Sequence, residues 1–196
     1  MILSKVHLTP GRLDNAWEWH RALWSLFPGV ERRDNEPAPF LYRIESMNLA
    51  EGARLLVQST RQPEMATPRA RVLATKPFDP QPKEGQRLHF LLTANVTKTI
   101  RDKDQPQRKI RVPLIREEEQ RQWLERKLSG ARIEALRIQP HPPVYFCKGA
   151  MAGKIVPTTF EGRLEVQSPE LLEPLLRKGL GRAKAFGCGL LLVRRA

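Results

Sequence analysis

The sequence predicts an α+β chain built from two consecutive units of similar element order. Three observations predict it. Stretches alternating apolar with polar residues recur along the chain, and three segments with helical spacing stand among them. The decapeptide 76–85 holds three prolines and a glycine, the composition of a linker. On each side of that break the elements run strand, helix, strand, strand.

Ile2 to Leu8 alternates and reads as the first strand, ended by Thr9-Pro10-Gly11. Asp14 is placed to cap a helix running to about Phe27, where Pro28-Gly29 stops it. Ala16, Trp17, His20, Leu23, Trp24 and Phe27 recur at helical spacing and share a face. Phe40 to Ser46 and Ala53 to Ser59 are strands joined by a turn at Glu51-Gly52. Met65 to Thr75 stays open between strand and coil, because Pro63 and Pro68 limit any helix. This is most of a ferredoxin-like unit.

The second unit opens with a strand from Arg87 to Thr97. Lys98 to Arg111 is basic, turns near Asp102 to Gln107 and leads into apolar Val112 to Ile115, the pattern of a protruding hairpin. Arg116 to Leu128 reads as a polar helix anchored by Trp123, Leu124 and Leu128. Arg132 to Gln139 and Val144 to Lys148 are strands, and Lys154 to Gln167 is one long strand with a break near Pro157. Ser168-Pro169-Glu170 has the layout of a helix start, and Pro174 is expected to kink that helix. A glycine-rich loop and the apolar strand Leu190 to Val193 close the unit. The expected organisation is a unit over 1–76, a linker over 77–85 and a unit over 86–196.

Charge narrows the function classes. Thirty-four Lys and Arg against 21 Asp and Glu give a net charge of +13 and a pI of about 10.4. Residues 98–116 hold seven basic and two acidic side chains, and residues 177–196 six basic and none acidic. Charge focused in this way fits a polyanion, nucleic acid first. No apolar run is long enough to span a membrane, the N-terminus lacks a signal-peptide layout, and a cytoplasmic location is expected. Cys147 and Cys188 lie in no metal-binding spacing and read as two buried thiols. No metal or cofactor site is expected.

The loop Gly179-Leu180-Gly181-Arg182-Ala183-Lys184-Ala185-Phe186-Gly187-Cys188-Gly189 is the most distinctive string. It lacks the Gly-Lys-Ser/Thr ending of a P-loop. It also follows a helix and opens a strand, the reverse of a dinucleotide fingerprint. A cofactor-binding enzyme is therefore disfavoured. Backbone N–H groups with Arg182 and Lys184 among them suit a phosphate.

This loop resembles the glycine-rich loop of CRISPR repeat-processing endoribonucleases. Met1 to Val6, His20-Arg21-Ala22-Leu23-Trp24-Ser25-Leu26-Phe27-Pro28, Arg111 to Ile115, and Gly153-Lys154-Ile155 leading to Phe160-Glu161-Gly162 resemble the CasE family of type I-E Cascade, in the same order. The resemblance implies two tandem ferredoxin-like domains. It also implies a metal-independent enzyme that cuts precursor RNA at the base of a repeat stem-loop, keeps the hairpin and joins Cascade, the free chain being a monomer.

RNA carries its own nucleophile, the 2′-hydroxyl, so the protein must move protons and stabilise the charged phosphorane. Of four histidines, His20 is the one the resemblance makes the acid/base. Lys154 matches the family's basic residue at the scissile phosphate, with Lys148 a weaker candidate. Where the family often has a tyrosine one turn before the histidine, this chain has Trp17, which donates one N–H or stacks but transfers no proton. Either Tyr42 or Tyr145 substitutes from elsewhere, or His20 and a lysine suffice, or the enzyme is slow. Lys98, Arg101, Lys103, Arg108, Lys109 and Arg111 form the expected phosphate-gripping arm, and Gly181, Arg182, Lys184 and Gly187 the expected RNA-holding loop. The rival reading is a non-catalytic stem-loop-binding module.

Overall fold

A computed structural model describes residues 1–11, 15–31, 36–105 and 107–196. It contains two four-stranded antiparallel sheets. The first comprises β1 (Ile2–Leu8), β2 (Phe40–Asn48), β3 (Gly52–Ser59) and β4 (Ala70–Pro77), in the order β2-β3-β1-β4. The second comprises β5 (Arg87–Asn95), β8 (Ala131–Pro140), β11 (Pro157–Val166) and β12 (Leu191–Arg195), in the order β12-β5-β11-β8. Reading each sheet from its last strand gives the sequence fourth, first, third, second. Both sheets are ferredoxin-like, and the chain has the predicted α+β fold of two such units in tandem.

The first sheet carries one helix among the described residues, α1 (Ala16–Trp24). Its buried face is Ala16, Trp19, His20 and Leu23, at the i, i+3, i+4, i+7 spacing of an amphipathic helix. Trp19 and Leu23 seat it on Val6, Leu8, Phe40, Tyr42 and Leu55. Burial of one such side chain stabilises by roughly 1.5–3 kcal/mol. Trp17 and Trp24 flank that face and are only half-buried, so the predicted stripe is rotated: the sequence reading passed over Trp19. Asn15 caps the helix, its Oδ1 accepting from the Trp17 N–H at 3.1 Å. The predicted cap, Asp14, lies outside the described residues. The segment left open is in part β4, which pairs with β1 and completes the sheet.

The second sheet carries α2 (Glu117–Lys127) and α3 (Pro169–Lys178). Trp123, Leu124, Leu172 and Leu176 are buried against Leu88, Phe90, Leu92 and Phe160. Two hairpins interrupt its order: β6 (Thr97–Arg101) with β7 (Lys109–Pro113), and β9 (Val144–Lys148) with β10 (Met151–Ile155). The strand expected over 154–167, with its break near Pro157, is two strands, β10 and β11, parted at Val156 as that break implies. β10 turns away to pair with β9, whereas β11 lies between β5 and β8. Ser168 makes no side-chain cap bond, and α3 continues through Pro174 to Lys178.

The units are joined by specific bonds. Asn15 Nδ2 donates to the Cys147 carbonyl while the Cys147 N–H donates to Asn15 Oδ1, both at 3.0 Å, so one amide mimics a strand partner for β9. Gln58 Nε2 donates to the carbonyl of Leu176 at 2.8 Å. Phe146 and Phe186 of the second unit pack on the first unit's core. Cys188 is buried as expected, its thiol pushed up to about 12 by burial. Cys147 is exposed, against expectation, because it sits on the outward face of a two-stranded hairpin.

Candidate active site and nucleic-acid interface

His20 is 7% exposed and sits in an aromatic cage. Its ring centroid lies 5.3 Å from Trp17, 6.1 Å from Trp24 and 5.5 Å from Phe40. One helical turn along, Trp24 Nε1 donates to His20 Nε2 at 3.2 Å. Indole is a donor only, so in this arrangement Nε2 is the accepting nitrogen of a neutral ring and the ring proton sits on Nδ1.

His20 lines a cleft of about 580 Å³ together with Trp24, Phe40, Gln58, Arg177, Lys178 and Lys184. A second cleft, of about 720 Å³, is lined by Arg111, Phe146, Lys154, Gly181, Arg182 and Lys184. Lys184 belongs to both, so the glycine loop is the wall between them. The loop meets α1 through Phe186, whose ring lies 6.2 Å from Trp17 and 4.4 Å from Phe146.

Backbone conformation shapes this wall. Gly181, Gly187 and Gly189 take positive φ, and so does Ala183, at 63°. Among the described residues, the five consecutive amides from Gly181 to Ala185 donate no hydrogen bond within the protein. Such open amides are available to an anion. Lys184 is less available than its sequence position implies. Its Nζ donates to the Lys178 carbonyl at 2.5 Å, and burial pushes the ammonium below its ordinary range. Arg182 is exposed.

The lysines of the β9–β10 hairpin point two ways. Register places Lys154 opposite Tyr145, on the face where Tyr145 is 62% exposed. Phe146 and Lys148 take the other face, toward α1. Lys148 Nζ stands 4.7 Å from the Trp17 ring centroid, a cation–π contact. The structure thus brings Lys148 to the ring beside His20 and sets Lys154 in the neighbouring cleft. Neither tyrosine alternative takes the place of Trp17 beside His20: Tyr145 lies on the hairpin face away from Lys148. Tyr42 is fully buried and donates its hydroxyl to the Ala185 carbonyl at 2.8 Å. Burial, with the Cys188 thiol beside it, holds that phenol well above its ordinary value.

The β6–β7 hairpin has two chemically distinct faces. Arg101 lies opposite Lys109, and Arg111 opposite Thr99, all on one face. Lys98, Ile100, Ile110 and Val112 share the other, where Lys98 Nζ pairs with Glu119 of α2 at 2.6 Å. Lys103 and Arg108 flank the exposed tip, closed by the Asp102 N–H to Arg108 carbonyl bond at 2.8 Å. Five of the six predicted arm cations are therefore outward, and Lys98 braces the arm.

Among the described residues no group of three or more His, Cys, Asp or Glu side chains is placed to hold a metal ion. No described helix is long and apolar enough to cross a membrane. Sequence reading missed Asn15, Lys178 and the Trp24 donor. The last was findable, because an indole four residues after a histidine on one helix stands over it.

Two ferredoxin-like sheets, a glycine-rich loop against the first helix and cation-lined clefts on both sides of that loop make up the candidate site. The family described as CRISPR associated protein matches residues 1–195. The CRISPR system Cascade subunit CasE of Escherichia coli is 38% identical over 198 residues, covering 97% of this chain and 98% of that protein. The CRISPR-associated endoribonuclease Cse3 of Thermus thermophilus is 33% identical, covering 98% and 99%. The structure of Thermus thermophilus Cse3 bound to an RNA representing a pre-cleavage complex superposes with a TM-score of 0.75 at 31% identity, covering 99% of this chain and all of that one. The chain belongs to the CRISPR associated protein family, in the branch that holds CasE and Cse3.

Proposed function

We propose that this protein is a metal-independent endoribonuclease that cuts CRISPR precursor RNA at the base of the repeat stem-loop. The observation that carries the reading is the placement of His20, in a cleft with Lys178 and Lys184, one aromatic ring away from Lys148. The relatives support it: one is named an endoribonuclease, its structure holds an RNA in a pre-cleavage state, and the other is named a Cascade subunit.

In this reading the stem lies against Arg101, Lys109 and Arg111, which grip phosphates, because an A-form major groove is too narrow for side chains to read. Arg182 and the open amides of Gly181 to Ala185 hold the backbone at the stem's base. The 2′-hydroxyl attacks the adjacent phosphate. Neutral His20 takes part as the proton carrier, and the β9–β10 lysines, Lys148 and Lys154, offset the charge gathering on the phosphorane. No step is routed through a metal. The products are a 5′-hydroxyl and a 2′,3′-cyclic phosphate or its 3′-phosphate. The hairpin stays bound as the 3′ end of the guide RNA, and the complex joins the other Cascade subunits in the cytoplasm. Trp17 is a stacking platform under Lys148 and beside His20.

A second reading, a stem-loop-binding module without cleavage, has one observation in its favour. Trp17 transfers no proton, and neither tyrosine replaces it at His20. Incubation of labelled repeat RNA in excess EDTA separates the two. Cutting with a cyclic-phosphate end supports the enzyme, and tight binding with intact RNA supports the module.

A further inference from the structure

The His20 cleft does not end at the glycine loop. Its Arg177 side chain reaches out of it, and Arg177 Nη2 donates to Asp79 Oδ1 at 2.9 Å. The Phe78 N–H donates to the Met1 carbonyl at 2.9 Å, and Met1 lines the same cleft. Phe78 and Asp79 belong to a third cleft, of about 520 Å³, between the segment after β4 and the last strand. Lys76, Lys83, Arg194 and Arg195 line it. Asp79 is the one acid among its lining residues, and that carboxylate is already occupied by Arg177. Among the described residues the four cations make no ion pair, and all four are exposed.

We propose that this crevice is a binding site for single-stranded RNA lying 3′ of the cut. The inference rests on the endoribonuclease reading and extends it to the strand that leaves. Arg111 and Arg182, on the stem side, line the cleft on one side of Lys184, and His20 lines the cleft on the other. A strand that passes His20 after leaving the stem therefore runs on toward Arg177 and the third cleft. Four uncompensated cations fit a polyanion and disfavour an acid-poor protein surface. Phe78 among Pro77, Pro80 and Pro82 supplies flat apolar surface against which bases stack, the usual partner of a cationic groove in single-strand binding. A duplex has no flat base face to offer there.

The test measures Kd for two stem-loop RNAs, each with a 2′-deoxy sugar at the cut so that neither is cleaved. One is flush after the cut position and one extends about eight nucleotides 3′. For the wild type the extension tightens binding on the order of tenfold at low salt. The gain falls with salt along a log–log slope of about −2 to −3, as for three or four single-strand phosphate contacts. The double variant Arg194→Glu, Arg195→Glu binds the flush RNA as the wild type does, which also shows that it is folded, and loses the gain. Lys76→Glu loses part of it. Equal wild-type affinity for the two RNAs overturns the proposal, as does a variant that weakens both equally or a gain reproduced by a 5′ extension. If the wild type binds neither RNA, the endoribonuclease reading falls first and takes this one with it.

Discussion

The hydroxyl of Tyr42 donates a 2.8 Å hydrogen bond to the carbonyl of Ala185, 143 residues further along the chain. Strand β2 of the first unit thereby fixes the glycine-rich loop of the second, directly beside the helix that carries His20. Tyr42→Phe removes the donor from that part-buried carbonyl, at a cost of about 1 kcal/mol in stability. Faster hydrogen exchange in residues 185–189 and a slower single-turnover cut are expected, both at unchanged sheet structure.

Gly187 and Ala183 make a matched pair of tests in the same loop. Both take positive φ, 79° and 63°. A Cβ on Gly187 adds a 3.3 Å contact with the Tyr42 ring. Gly187→Ala is expected to destabilise by about 1–2 kcal/mol, and Ala183→Gly to be neutral or slightly stabilising. Thermal unfolding of the two variants checks the contrast.

The Trp24 bond to His20 Nε2 has a consequence for pH. A proton arriving at Nε2 displaces the indole N–H, so the bond favours the neutral ring. Trp24→Phe removes the donor and makes protonation easier. If neutral His20 is the form that starts the reaction, the acid limb of the rate profile then moves to higher pH. A profile that loses height without moving means Trp24 acts through packing alone.

The two faces of the β6–β7 hairpin should respond differently to truncation. Arg111 faces outward and lines the Lys154 cleft, whereas Lys98 is tied to Glu119. Arg111→Ala is expected to weaken stem-loop binding and to reduce the log–log salt slope by about 1. Lys98→Ala is expected to change the slope less, since its charge is already met by a carboxylate. Titrations at several salt concentrations read both.

How much of this was legible in the sequence depends on the distance over which each feature is decided. The β5 pattern of Leu88, Phe90, Leu92 and Ala94 is local and gave its strand directly. The β10–β11 break was marked by Pro157, but the path each half takes was not: only the partners, β9 for one and β5 with β8 for the other, decide it. β4 was ambiguous because its neighbouring prolines argue against a helix without arguing for a strand; β1 supplies the pairing. For the candidate site, His20 and the glycine loop stand out as strings. That Lys148 rather than Lys154 reaches Trp17 does not, because a hairpin register decides it. Nor does the part played by Tyr42, whose partner is in the other half of the chain.

The most direct test of the account is single-turnover cleavage of the repeat stem-loop by His20→Ala, with binding of the same RNA measured beside it. The expected rate is lower by about 10²–10⁴-fold at nearly unchanged affinity, the range that loss of a positioned proton carrier produces. His20→Ala cutting at the wild-type rate would contradict it, and the chemistry would then have to be sought in the lysines of the β9–β10 hairpin.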